Sequence, residues 1–118
     1  MKIGSVLENQ ELEKRVSITP EIAKKYKSLG LDVYLSKNYG VHLGISDEEY
    51  KNIGVKFSDD DKEVINLSNI VVQLGLLSDD KSSLLKEDQT LIGVLNPYDN
   101  KKKLEELTNK KIKLFSLE

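Results

Sequence analysis

Arg15 is the residue whose type is hardest to explain as filler. The chain carries 18 basic residues, and every one except Arg15 is a lysine. A composition that uses lysine wherever a cation suffices points to a place needing a planar, bidentate guanidinium, as carboxylate or phosphate recognition does. One arginine can also fall anywhere by chance, and composition leaves both readings open. His42 is the lone histidine. Histidine serves as a general base, but no nucleophile neighbours it in sequence, so it reads as a surface or packing residue. The absence of cysteine excludes disulfides, thiol catalysis and Cys-ligated zinc. The acidic clusters Asp59-Asp60-Asp61 and Asp79-Asp80 fall at helix starts, where acids cap and complement the dipole; no metal site is expected from them. No G-x-G-x-x-G follows a strand and no P-loop is present, since Gly75 and Gly93 stand alone. The usual backbone cradle for a dinucleotide pyrophosphate is therefore missing.

The elements that must carry these residues alternate between strand and helix. Residues 2–7 read as a strand and 8–17 as a polar loop holding Arg15. Thr19-Pro20-Glu21 starts a helix, with Thr as N-cap and Pro at the first helical position. Ile22, Ala23, Tyr26 and Leu29 line one face of it, and Gly30 ends it. Residues 31–35 form a strand, 39–44 a glycine-punctuated loop, and Ser46 with Glu49 a capping box for a short helix that stops at Gly54. A brief strand at 55–57 precedes a helix from 58–61 onward, with Val64, Ile65 and Leu67 inward. The near-continuous apolar run at 70–74 is the pattern of a parallel strand covered on both faces. A helical turn within 78–86, a strand at 90–95 stopped by Asn96-Pro97, a helix at 99–107 and a strand at 111–117 complete the chain. This alternation predicts an α/β fold: a Rossmann-like or flavodoxin-like three-layer sandwich with a mostly parallel sheet.

At 118 residues the chain is one domain. Its 38% apolar and 32% charged residues suit a soluble globular domain. Apolar runs are too short for a membrane span, and the first residues are not a signal peptide. The net charge of −2 and the lack of aromatics among the lysines of 101–113 argue against nucleic acid as a partner. A chain ending on a parallel strand is expected to be part of a longer protein.

Several blocks together resemble the N-terminal domain of the alanine dehydrogenase and proton-translocating transhydrogenase family. Lys2-Ile3-Gly4 with Glu13-Lys14-Arg15-Val16-Ser17-Ile18-Thr19-Pro20 is similar to the family's K-I-G-V-P-K-E opening and E-x-R-V-A-x-T-P loop. Leu29 to Val33 resembles its L-x-x-x-G-x-x-V joint. Gly40, Gly44 and Ser46-Asp47-Glu48-Glu49-Tyr50 resemble its G-x-x-x-G-x-S-D-E-x-Y segment. Residues 68–74 resemble A-D-I-V-x-K-V, and 90–97 with Asn100 resemble the strand before A-Q-N in many transhydrogenases. The departures are Ser5-Val6-Leu7 in place of V-P-K, and Leu77 where proline is common.

The resemblance implies a Rossmann-like first domain of a two-domain NAD-binding subunit, with residues 1–118 as that domain and NAD in the cleft between the two. It implies that Arg15 matches an arginine that reads the substrate carboxylate in alanine dehydrogenases. The lysine and histidine those enzymes also use match Gly75 and Asn96, which can do neither job. Direct hydride transfer between two nicotinamides needs no titrating pair, so the branch implied is the transhydrogenase alpha subunit, with no catalytic residue in this domain. Arg15, Gln73, Asn96 and Tyr98 are the expected cofactor-binding candidates, the last three because they lie at carboxyl ends of strands. For Arg15, pairing that merely fixes its own loop is the alternative; for the others, it is capping and turn formation. The expected partners are NAD(H), the membrane-embedded and NADP-binding transhydrogenase subunits and a second copy. The expected location is cytoplasmic, peripheral to the inner membrane. An amino-acid dehydrogenase domain and a non-enzymatic α/β binding module are the other readings.

Overall fold

The computed structural model describes residues 1–8, 15–75, 77–95 and 99–116. The elements are β1 (Lys2–Ser5), α1 (Pro20–Ser28), β2 (Asp32–Ser36), α2 (Asp47–Lys51), β3 (Lys56–Ser58), α3 (Asp61–Leu67), β4 (Ile70–Val72), α4 (Asp79–Ser82), β5 (Thr90–Gly93), α5 (Lys101–Asn109) and β6 (Lys113–Ser116). A 3-10 turn, Val41–Leu43, lies between β2 and α2. Local chemistry sets the helix ends. The Thr19 hydroxyl accepts the Ile22 N–H at 3.3 Å, and Ser46 Oγ accepts that of Glu49 at 3.3 Å. Gly30, at φ +85°, takes the left-handed turn after α1.

The six strands run in the order β3-β2-β1-β4-β5-β6, and every pairing is parallel. The sequence left Rossmann-like and flavodoxin-like arrangements open. This order is that of the dinucleotide-binding doubly wound sheet, not the flavodoxin order, because two strands lie outside β1 on one side and three on the other. The order is a tertiary property: short links of similar length serve either arrangement.

Register sorts the side chains onto two faces. Ile3, Val33, Leu35 and Val72 enter one core, where Ala23 of α1, Tyr39 and Tyr50 of α2 cover them. Val71, Leu91 and partly buried Leu114 enter the other, under Val64 and Ile65 of α3, Leu77, Leu85 and Leu107 of α5. Three layers result, as expected. The strands are shorter than the apolar runs that announced them. Even so, the Gln73 N–H donates to the Ile92 carbonyl at 2.8 Å and the Val94 N–H to the Leu74 carbonyl at 3.0 Å, so β4 and β5 stay together past their assigned ends. β1 ends early because the N–H groups of Val6 and Leu7 turn to side chains, Gln73 and Ser36. Among the described residues no helix is long and apolar enough to cross a membrane.

Candidate functional site

In a sheet of this order the crevice forms outside the carboxyl ends of β1 and β4, where the chain connections diverge to opposite faces. The end of β1 delivers Ser5, Val6, Leu7 and Glu8 there. The end of β4 delivers Gln73, Leu74 and Gly75. The backbone of Ser17 and Ile18 is tied to the end of β1 through the Tyr39 hydroxyl.

A polar network ties these pieces together. Gln73 is 1% exposed. Its Oε1 accepts the Val6 N–H at 2.8 Å and the Ser5 hydroxyl at 3.1 Å, while its Nε2 donates to the Val6 carbonyl at 3.0 Å. The amide thus pairs with Val6 as a further strand residue would, and its orientation follows from having both a donor and an acceptor to meet. The Tyr39 hydroxyl lies 2.8 Å from Ser5 Oγ and accepts the N–H groups of Ser17 and Ile18 at 3.1 and 3.2 Å. The Tyr50 hydroxyl donates to the Ile18 carbonyl at 2.8 Å. The two tyrosine rings meet edge to face, 6.1 Å between centroids, and Tyr50 meets Phe57 likewise at 5.9 Å. Burial raises the phenol pKa of both Tyr39 and Tyr50. Hydrogen bonding with the Ser5 hydroxyl and with the N–H groups of Ile18 and Ser17 partly offsets this at Tyr39, and the Glu8 charge adds to it.

Gly40 makes this arrangement feasible. A Cβ there would sit 3.0 Å from the Ile45 Cβ and 3.2 Å from Tyr50 Cε2, so the residue after Tyr39 must be small for Tyr50 to reach Ile18. Beside the network, Glu8 turns its carboxylate onto two successive backbone donors at the end of β4, Leu74 N–H at 2.5 Å and Gly75 N–H at 3.2 Å. The Ser17 hydroxyl is enclosed and meets no hydrogen-bond partner among the described groups.

Of the expected site residues, Arg15 is exposed and lies two residues before the Ser17 and Ile18 backbone held by Tyr39. Gln73 is at the crevice but buried, with its amide spent on Val6 and Ser5. Asn96 and Tyr98 lie outside the described residues. His42 is exposed in the 3-10 turn. The acidic clusters serve helix ends and ion pairs: the Asp60 side chain caps α3, Asp61 pairs with Lys81 at 2.9 Å and Asp79 with Lys103 at 3.0 Å. Sequence reasoning missed Ser5, Glu8, Tyr39 and Tyr50. Their signals were present as a serine inside an apolar strand, an acid at its exit, and two tyrosines bracketing the glycine loop. Only the strand order shows that these positions meet.

The family model for the alanine dehydrogenase/PNT N-terminal domain matches residues 4–118. The chain belongs to that family. An NAD(P) transhydrogenase subunit alpha (its first part) of Rickettsia prowazekii is 33% identical over 122 residues, covering all of this chain and 32% of the relative. An alanine dehydrogenase of Methanococcus maripaludis is 30% identical over 112 residues, covering 95% of this chain and 30% of the relative. The crystal structure of transhydrogenase from Sinorhizobium meliloti superposes with a TM-score of 0.90 at 22% identity, covering 98% of this chain and 34% of that one. The chain thus spans about a third of the length of the relatives it matches.

Proposed function

We propose that this chain is the N-terminal domain of the alpha subunit of a proton-translocating NAD(P) transhydrogenase, forming one wall of the NAD cleft. The observation that carries the reading is at the end of β4. Where the resemblance implies a lysine for an amino-acid substrate, Gly75 has no side chain, and its N–H is engaged by the protein's own Glu8 carboxylate. A substrate carboxylate brought to that place meets an anion instead of a cation. The whole-length similarity to transhydrogenase alpha relatives supports the same branch.

The residues present suit a wall, not a phosphate cradle. Arg15 is exposed, but the turn after β1 carries Glu8 where a dinucleotide-binding turn would offer glycine N–H groups. NAD(H), when bound, supplies hydride transfer to NADP⁺; a second domain would hold its phosphates. The role of this chain is to position Arg15 and keep water from the crevice. In the complete subunit, the domain would sit at the cytoplasmic side of the inner membrane, attached through membrane-embedded and NADP-binding partners, with a second copy as dimer mate. By itself it is inert as an enzyme.

Titrating the 118-residue chain with NADH tests the wall reading. Weak or undetectable binding is expected, and a dissociation constant near micromolar contradicts it. The second reading, an amino-acid dehydrogenase domain, draws on the alanine dehydrogenase relative. Alanine-dependent NAD reduction by the longer polypeptide, without reduction of NADP⁺ analogues, would establish it in place of the first.

A further inference from the structure

Two stretches more than twenty residues further along the chain meet on one residue's backbone, that of Ile18. Its N–H goes to the Tyr39 hydroxyl of the glycine loop, and its carbonyl receives the Tyr50 hydroxyl of α2. The Ser17 N–H joins it on Tyr39. Val16 and Ile18, 8% and 0% exposed, peg the same segment into the apolar core. The backbone two and three residues after Arg15 is therefore held from both its polar and its apolar sides.

Hydrogen-bond accounting gives this network a direction. The Tyr39 oxygen already accepts two N–H groups, so its proton goes outward to Ser5 Oγ. Ser5 in turn donates to Gln73 Oε1, whose second acceptor position is filled by the Val6 N–H. The chain of donors runs from the loop through β1 to β4, and no member can reverse without leaving a buried group unpaired.

We propose that Tyr39 is a positioning residue for Arg15: its hydroxyl sets the 15–19 backbone against the ends of β1 and β4 and so decides where the guanidinium is presented. The bonds above carry the geometry, and its functional weight rests on the cleft reading.

The single arginine of the chain makes the test specific, because phenylglyoxal modification reports Arg15 alone. The modification rate, and the amide exchange of Ser17 and Ile18 by NMR, are compared among the unaltered chain, Tyr39→Phe, Ser5→Ala and a control, Leu91→Ala, in the opposite core. Tyr39→Phe should shift the Arg15 rate by about threefold or more and speed exchange at the two amides by roughly tenfold. Ser5→Ala, which keeps the phenol but removes the acceptor of its proton, should move both in the same direction by less. Leu91→Ala should leave the Arg15 rate within about twofold despite its lower stability. If Tyr39→Phe fails to fold, Ser5→Ala carries the comparison. Unchanged Arg15 reactivity and unchanged amides in folded variants overturn the proposal. Protection of Arg15 by millimolar NADH reports separately on the cleft reading. An altered rate in Tyr39→Phe without protection leaves the positioning role standing and removes the cofactor contact. Protection with an unaltered rate removes the positioning role instead.

Discussion

Gln73 shows how one side chain can be a strand without belonging to one. Its amide supplies both bonds that Val6 would otherwise find in a longer β4. Replacing it with glutamate keeps the size and the acceptor but loses the donor to the Val6 carbonyl unless the carboxyl is protonated. A carboxyl buried there has its folded pKa raised above the unfolded value of about 4.3. The sign follows: Gln73→Glu is tolerated best at acid pH and loses stability as pH rises from about 4 toward the raised folded pKa. Urea midpoints from pH 4 to 8, set against the unaltered chain, would show a pH-dependent gap; a constant gap contradicts the pairing. The tyrosines predict a second, alkaline effect. Tyr39 and Tyr50 have raised pKa values in the folded state. Their contribution is complete below the ordinary tyrosine pKa of about 10 and is lost as pH rises beyond it, since the unfolded chain ionises first. Absorbance of phenolate against pH should show these two of the five tyrosines ionising only with unfolding, and Tyr39→Phe should shrink that late step.

At the scale of elements, the short helix α2 and the glycine loop before it form a mount for Tyr50 and Tyr39. Five residues of helix would be marginal alone. Its acidic first turn, the Ser46 cap and the burial of Tyr50 hold it. Gly40→Ala places a methyl 3.2 Å from the Tyr50 ring. It should cost about 1–3 kcal/mol through overpacking, measured by thermal unfolding, and should free Ile18 amide exchange as well. A cost with no change at Ile18 would separate the loop from the clamp. The caps at Thr19, Ser46 and Asp60 and the turn at Gly30 were legible because they are local: each needs only residues within one helical turn. Strand lengths were not. The sequence shows apolar runs, whereas the strand ends where backbone groups find side-chain partners from another part of the chain, as Val6 does with Gln73.

Across the whole molecule, the two faces of the sheet are unequally covered. Helices α1 and α2 cover one face over β1 to β3, whereas α3, α4 and α5 lie on the other. On the first face the register row Val72, Ile92, Phe115 passes from 9% exposed at Val72 to 58% at Phe115. On the second face the matching row is Val71, Leu91 and Leu114, with Leu91 0% exposed and Leu114 on the last strand still partly buried. The contrast predicts unequal costs. Leu91→Ala should lose about 2–5 kcal/mol, while Phe115→Ser should change stability by less than about 0.5 kcal/mol. Denaturant unfolding of both variants measures this, and a large loss at Phe115 would mean that its face is packed after all.

The sequence by itself determined the alternation of elements, the helix caps, the absence of thiol chemistry and of a glycine phosphate cradle, and the isolation of Arg15 as the one guanidinium. These depend on residue type and short-range spacing. Tertiary structure alone decided that the strands run 3-2-1-4-5-6, and therefore that Ser5, Gln73, Tyr39 and Tyr50 meet beneath the arginine loop. Hydrogen bonds between residues more than twenty positions apart form only after the sheet has brought them into register, and no periodicity along the chain encodes which distant strand will be the neighbour.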